Sequence, residues 1–273
     1  MRKGVLDLSR PRLMGVLNVT PDSFSDGGRY FAVDAAVEQG LALERAGADL
    51  VDIGGESTRP GATPVTVAEE IDRVVPVIRG LADPVRVPIS IDTRRAEVAD
   101  AALQAGAELI NDVSGLGDAE MAKVAARHGV PIILGHLRGD PRTMQEGIGF
   151  TDVVAEVIEE LGRSLDRAVA GGVGADRIVV DPGLGFGKTA EQTVLLLRAI
   201  GEIRRRLGRP ICVGPSRKSF LGVLSGAPVD RRLMATAAAT AVAVYLGADI
   251  LRVHDVSELR DVVTVAAALR CRG

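Results

Sequence analysis

The sequence predicts an α/β fold in which eight strand–helix units close into a (β/α)8 TIM barrel. Three observations predict it. Short apolar runs alternate with helix-patterned stretches eight times and fill the 273 residues with little remainder. Four helix-to-strand joins use nearly the same words: AGADL at 46–50, AGAEL at 105–109, GVGAD at 172–176 and LGADI at 246–250. In each a glycine closes a helix and the following residues open a strand. The apolar runs also end in polar or loop-forming groups, as barrel strands do at their C-terminal rim. An open doubly wound sheet alternates strand and helix too. Eight units use up the chain, so the barrel is preferred, as one domain over 1–273 with no linker.

The first strand is expected at 13–19 and the first helix at 32–46, with Val33, Val37, Leu41 and Ala42 on its apolar stripe. A strand at 50–53 runs into Gly54 and Gly55. The helix at 67–81 carries Glu69 and Glu70 at its positive end. A strand at 87–91 stops at Asp92, and a helix at 96–103 is closed by Gly106. Then come a strand at 109–113, a helix at 119–127 stopped by Gly129, and a strand at 130–134. A loop rich in Gly, Pro and Arg covers 137–150, before the longest helix at 153–169. Ile178, Val179 and Val180 form a β-branched run, long enough for one buried strand. It ends in DPGLGFGKT at 181–189, and a helix follows to Arg206. A strand at 211–214, an alanine-rich helix at 231–246, a strand at 250–253 and a helix at 256–269 complete the chain. Residues 4–9 are left over and are expected to cap the barrel bottom.

Composition excludes several classes. A hydrophobic fraction of 47% supplies a sizeable core and argues against disorder. The net charge of -3 speaks against a nucleic-acid binder. Cys212 and Cys271 support neither a disulfide framework nor a cysteine metal site. No run is apolar enough to span a bilayer, and residues 1–12 lack the apolar core of a signal peptide. A soluble, cytoplasmic protein is expected.

The rim of such a barrel would gather Asn18, the 56–61 loop, Asp92, Asn111, His136, Asp181, Lys218, Arg252 and His254. A lone aspartate at a strand end is more simply a turn or cap. The collection points instead to a ligand rich in donors and acceptors. A carboxylate accepts two N–H groups of an amino-pyrimidine edge, and an amide both donates and accepts. Asp92, Asn111 and Asp181 thus suit a flat heterocycle, with Lys218 donating to a ring atom. Arg59, Arg217, Arg252 and His254 suit a phosphate or pyrophosphate. His128, at a helix end, is expected to serve the helix dipole, and His136 to form pocket wall. DPGLGFGKT is not a nucleotide P-loop, because Pro182 stands where that motif requires glycine.

These rim segments resemble the dihydropteroate synthase family. The matching words are NVTPDSFSDGG at 18–28, GGESTRPGA at 54–62, IDT at 91–93, NDVSG at 111–115, DPGLGFGK at 181–188, SRKSFLG at 216–222 and RVHDV at 252–256. They run in order from residue 13 to near the end. The resemblance implies a pterin-binding barrel that joins 6-hydroxymethyl-7,8-dihydropterin diphosphate to 4-aminobenzoate, giving 7,8-dihydropteroate and diphosphate. It implies pterin contacts from Asp92, Asn111, Asp181 and Lys218, with Leu137 and Phe186 among the substrate-binding residues. It implies diphosphate contacts from Arg252 and His254, with Mg2+ bridging diphosphate and Asn18. Thr58, Arg59 and Pro60 would lie in the second loop, with Ser219 near the aminobenzoate carboxylate. Asp22 and Phe24 would lie in a mobile first loop. Asp22, Arg59, Lys218, Arg252 and His254 are the residues expected to act on the reacting groups. A homodimer is implied as well, and the alanine-rich helix 234–246 is its candidate surface.

One departure is the Leu137-Arg138 pair after His136, where the family commonly has methionine and then glutamine or a similar residue. Leu137 keeps apolar packing; Arg138 adds a charge of open role. A related barrel that transfers methyl groups from folate to a corrinoid protein shares the Asp/Asn floor, but has no need of STRPG and SRKS. A non-catalytic paralogue is disfavoured because the key residues are intact. The length leaves no room for a fused second folate enzyme.

Overall fold

The computed structural model describes residues 6–20, 28–57, 65–140 and 143–270. Eight parallel strands alternate with helices in chain order: β1 Arg12–Asn18, α1 Gly28–Arg45, β2 Leu50–Gly54, α2 Val67–Ala82, β3 Ile89–Asp92, α3 Ala96–Ala105, β4 Leu109–Asp112 and α4 Met121–His128. The second half holds β5 Ile132–Gly135, α5 Val153–Ala170, β6 Ile178–Asp181, α6 Ala190–Arg198, α7 Ile200–Leu207, β7 Cys212–Val213, α8 Ser219–Ser225, α9 Leu233–Leu246, β8 Ile250–Val253 and α10 Val256–Leu269. Each strand pairs with its neighbour in the order β6-β5-β4-β3-β2-β1-β8-β7. The ring nearly closes through one parallel bridge, Val180 with Ile211, supported by the Val180 N–H on the Pro210 carbonyl at 3.0 Å.

Alternation along the strands sorts side chains into two cores. One set faces the helices and forms the large outer core, with Leu17, Ile53, Ile91, Ile110, Leu134, Val180, Val213 and Val253 from the strands. The other points into the barrel. Met14, Leu50, Leu109, Ile133, Val179, Cys212 and Ile250 form an apolar floor, and Leu6 and Leu8 of the leftover N-terminal segment pack against it. Inward side chains recur every second residue. The next inward positions after that floor are Val16, Asp52, Asn111, Gly135, Asp181, Gly214 and Arg252. An apolar plug therefore carries a charged layer directly above it, at the C-terminal mouth.

The joins differ in one place from the shared words. Gly47, Gly106 and Gly247 all take positive φ after their helices, but in GVGAD that role falls to Gly172. Gly174 has φ -59 and leads into a 3-10 turn at Ala175–Arg177. The helix expected from 194 to 206 is two helices that bend at Ala199, where one N–H is shared between the Leu195 and Leu196 carbonyls. Leu196, Ile200 and Ile203 are all fully buried. The apolar period runs through the bend and hides it from the sequence. Among the described residues α8 is a helix that the pattern did not announce; it is only seven residues long.

Candidate active site

Seven of the expected residues meet in one cavity. Its lining includes Asp92, Asn111, Asp181, Phe186, Lys218, Arg252 and His254, together with Gly135, Gly214 and Ser216. Its volume is about 60 Å³. The glycines leave that space open. A Cβ on Gly135 would lie 2.6 Å from the Val113 Cα and 2.8 Å from its carbonyl oxygen.

Arg252 spans the floor of the cavity. Its Nε donates to Asp52 Oδ2 and its Nη2 to Asp92 Oδ2, both at 2.6 Å. Asn111 Nδ2 donates to the same Asp52 oxygen at 3.0 Å, which leaves its carbonyl oxygen and second N–H for a ligand. Burial pushes the Asp92 carboxyl up to about 7, although Arg252 pulls it down. Burial works against the charge of Arg252 too, but Asp52 and Asp92 outweigh it and hold the guanidinium above its ordinary range.

Asp181 closes β6, and its Oδ1 accepts the Gly183 N–H at 2.7 Å. The loop of bare backbone thus fixes the carboxylate at the strand end. Burial raises the Asp181 carboxyl as well, offset by that hydrogen bond and by Lys218. Lys218 stands 3.7 Å above the Phe186 ring, a cation–π contact that places its ammonium over the pocket wall. Burial lowers Lys218 to about 8, against the pull of Asp181. The exit of β7 that presents Lys218 is held from behind. Arg217 has φ 59, a left-handed backbone rare for a bulky residue. Arg232 Nη1 donates to the Arg217 carbonyl at 3.1 Å. Arg217 itself pairs with Asp255 at the surface and does not enter the cavity. The Ser216 hydroxyl accepts the His254 N–H at 3.2 Å and lies 2.9 Å from ring Nδ1, which orients the imidazole.

Other expected residues lie elsewhere. Asn18 ends β1, half-buried at the same rim and in register with Gly54. Ser219 opens α8 and is exposed. Leu137 lines an adjoining groove of about 770 Å³ with Arg94, Asp118 and Asp140, at the exits of β3, β4 and β5. Asp22, Phe24, Thr58, Arg59 and Pro60 lie outside the described residues. His136 is buried rather than part of the cavity lining: Nε2 is 2.8 Å from Glu160 and Nδ1 2.9 Å from Lys188 Nζ. Burial and Lys188 lower it to about 4, so the ring is neutral, with Nδ1 accepting and Nε2–H donating. Arg138 pairs with Glu156 and Glu160 and covers the Phe150 ring at 3.9 Å, so its charge organises the base of α5. His128 lies in the last turn of α4, where a basic residue suits the helix dipole; its Nε2 also pairs with Asp100 at 2.7 Å, and Gly129 is the C-cap.

Sequence reasoning missed Asp52, Ser216 and the His136–Lys188 prop. Asp52 had a signal: it is the one acid inside the apolar run LVDIG, at the same inward parity as Leu50. Ser216 and Lys188 stood in quoted motifs, but the buried contacts they make leave no trace in spacing.

A nearly closed parallel barrel whose mouth sets two carboxylates, an amide and a lysine around a slot, beside an arginine and a histidine, defines a pterin-binding enzyme. The sequence matches the family described as pterin binding enzyme over residues 14–254. The dihydropteroate synthase of Synechocystis sp. is 47% identical over 262 residues, covering 95% of this chain and 90% of that protein. The Xanthomonas albilineans dihydropteroate synthase solved with 4-aminobenzoic acid superposes with a TM-score of 0.91 at 44% identity, covering 98% of this chain and 96% of that one. The same enzyme in complex with 7,8-dihydropteroate gives 0.88 at 41% identity, covering 98% and 97%. The chain belongs to the dihydropteroate synthase family, transferases of folate biosynthesis.

Proposed function

We propose that the cavity binds 6-hydroxymethyl-7,8-dihydropterin diphosphate and that its methylene is transferred there to 4-aminobenzoate. The observation that carries this reading is the convergence of Asp92, Asn111, Asp181 and Lys218 on one slot. The ionised carboxylates accept the amino-pyrimidine N–H edge, Asn111 serves a neighbouring edge, and Lys218 donates to a ring oxygen or nitrogen. Arg252 and His254 take the diphosphate, and the Ser219 hydroxyl meets the aminobenzoate carboxylate. The amine nitrogen attacks the exocyclic methylene, the C–O bond to diphosphate breaks, and the nitrogen loses a proton. Electron release from the dihydropterin favours a cation-like route, and charge absorption at the leaving diphosphate lowers the barrier. A neutral arylamine needs no strong base, so no covalent enzyme intermediate is required. Asp22 and Arg59, on the first and second loops, are assigned to shielding the cation and organising closure.

Mg2+ fits the donors at the rim. Among the described residues no group of three His, Cys, Asp or Glu side chains could hold a metal. A single amide oxygen, from Asn18, suits an ion that takes its remaining ligands from phosphate and water. Bound there with the substrate, Mg2+ would neutralise diphosphate charge. The test is steady-state condensation against Mg2+ concentration. Asn18→Ala is expected to raise the Mg2+ needed for half-maximal rate; an unchanged requirement removes Asn18 from the metal site.

The chain acts as one domain over 1–273, in the cytoplasm, and as a homodimer. Among the described residues no helix is long and apolar enough to cross a membrane. For the dimer the support is a set of exposed apolar side chains on three helices: Met234 and Tyr245 on α9, Val265 and Leu269 on α10, and Val223 and Leu224 on α8. An apolar surface that joined them would suit coverage by a second copy of the chain.

A further inference from the structure

The pocket assignments leave Asp52 without a role. It is fully buried in the middle of β2, two residues above Leu50 on the inward face. Stability does not explain it, because a buried ion pair at best roughly balances its desolvation cost. Its hydrogen bonds go to site residues: Oδ2 accepts from Arg252 Nε at 2.6 Å and from Asn111 Nδ2 at 3.0 Å. Its Oδ1, and the hydroxyl of Ser90 on the register-paired strand, have no hydrogen-bond partner among the described residues.

One guanidinium is therefore shared by two carboxylates with unlike surroundings. Asp92 lines the cavity and faces the incoming ligand; Asp52 lies below it and is not part of the lining. Arg252, clamped across both, is itself part of the cavity lining. Binding of a pterin edge to Asp92 competes with the Arg252 Nη2 contact. It does not compete with the Nε contact to Asp52.

We propose that Asp52 is a positioning residue that anchors Arg252 at Nε, so that pterin binding at Asp92 releases the Nη2 arm to the diphosphate. The anchored end keeps the released arm from exploring other rotamers, which limits the entropy lost when it meets its ligand. Asn111, held by the same Asp52 oxygen, ties the pterin half to the same anchor. The inference rests on the reading of Arg252 as a diphosphate ligand.

The test compares two ligands, 6-hydroxymethyl-7,8-dihydropterin and its diphosphate ester, by calorimetry at fixed Mg2+. The readout is the ratio of their dissociation constants, because a merely structural role for Asp52 would weaken both alike. Arg252→Gln is expected to reduce the preference for the diphosphate about 10- to 100-fold, the value of a charge-assisted hydrogen bond. Asp52→Asn is expected to lose most of that preference while shifting the alcohol far less, and to add little in combination with Arg252→Gln. Arg252→Lys, which leaves Asp52 untouched, keeps the charge but cannot bridge both carboxylates. It is expected to lose the preference as well, and it keeps the test open if Asp52→Asn does not fold. Equal weakening of both ligands in Asp52→Asn, or a full preference in Arg252→Lys, overturns the role of Asp52. An unchanged preference in Arg252→Gln overturns the diphosphate reading of Arg252 beneath it.

Discussion

Asp92→Asn tests the electrostatics of the pocket through folding rather than through turnover. Burial raises the Asp92 carboxyl from 3.8 to about 7. Each unit is worth ~1.4 kcal/mol, so the whole rise corresponds to ~4 kcal/mol. The sign follows from proton counting. A carboxyl whose pKa is higher folded than unfolded holds its proton longer in the native state. Its contribution is fully present below 3.8 and is lost as pH rises through about 7. Asparagine keeps the shape and cannot ionise. Urea unfolding of parent and variant between pH 4 and pH 8 compares proteins whose other titrating groups are the same; Lys218, whose ammonium Asp92 helps to keep charged, adds a smaller change of its own near the top of the range. The stability of Asp92→Asn relative to the parent is expected to rise by ~4 kcal/mol across that range. The loss of one partner for Arg252 adds an offset that does not change with pH in this window. A difference flat from pH 4 to pH 8 would refute the reasoning.

Three further outcomes are expected. The pH profile of kcat/KM should rise through about 7 as Asp92 ionises to accept the pterin edge, and fall through about 8 as Lys218 loses its proton; Asp92→Asn should remove the acid limb. Gly135→Ala drives a Cβ to 2.6 Å from the Val113 backbone and should cost about 1–3 kcal/mol in denaturant melts, the usual cost of overpacking. Tyr245→Glu puts a charge among the exposed apolar side chains of α9 and should shift sedimentation from dimer to monomer without loss of helicity.

Much of the barrel was legible because its signals are local. The β-branched run 178–180 in β6 and the glycine-closed joins report backbone conformation directly. Glu69 and Glu70 mark the start of α2 in the same local way. Polar strand ends gave the pocket because inward parity carries each of them to one mouth. What the sequence hid depends on three-dimensional partners. Arg138 read as an unexplained charge until Glu156 and Glu160, a helix away, appeared beside it. His136 read as pocket wall, whereas Lys188 and Glu160 hold it behind the loop. Asp52 was passed over inside an apolar strand, and its importance lies in contacts to residues 59 and 200 positions away. The bend at Ala199 went unseen because apolar spacing is indifferent to it.

The central claim is that this pocket performs the condensation. The most direct measurement follows dihydropteroate and diphosphate together, from the dihydropterin diphosphate and 4-aminobenzoate, for the parent, Asp181→Asn and Lys218→Ala. Coupled release of both products by the parent, reduced by roughly 10²-fold or more in each variant, is the expected result. Parent-like turnover in both variants would contradict the claim and place the chemistry outside this cavity.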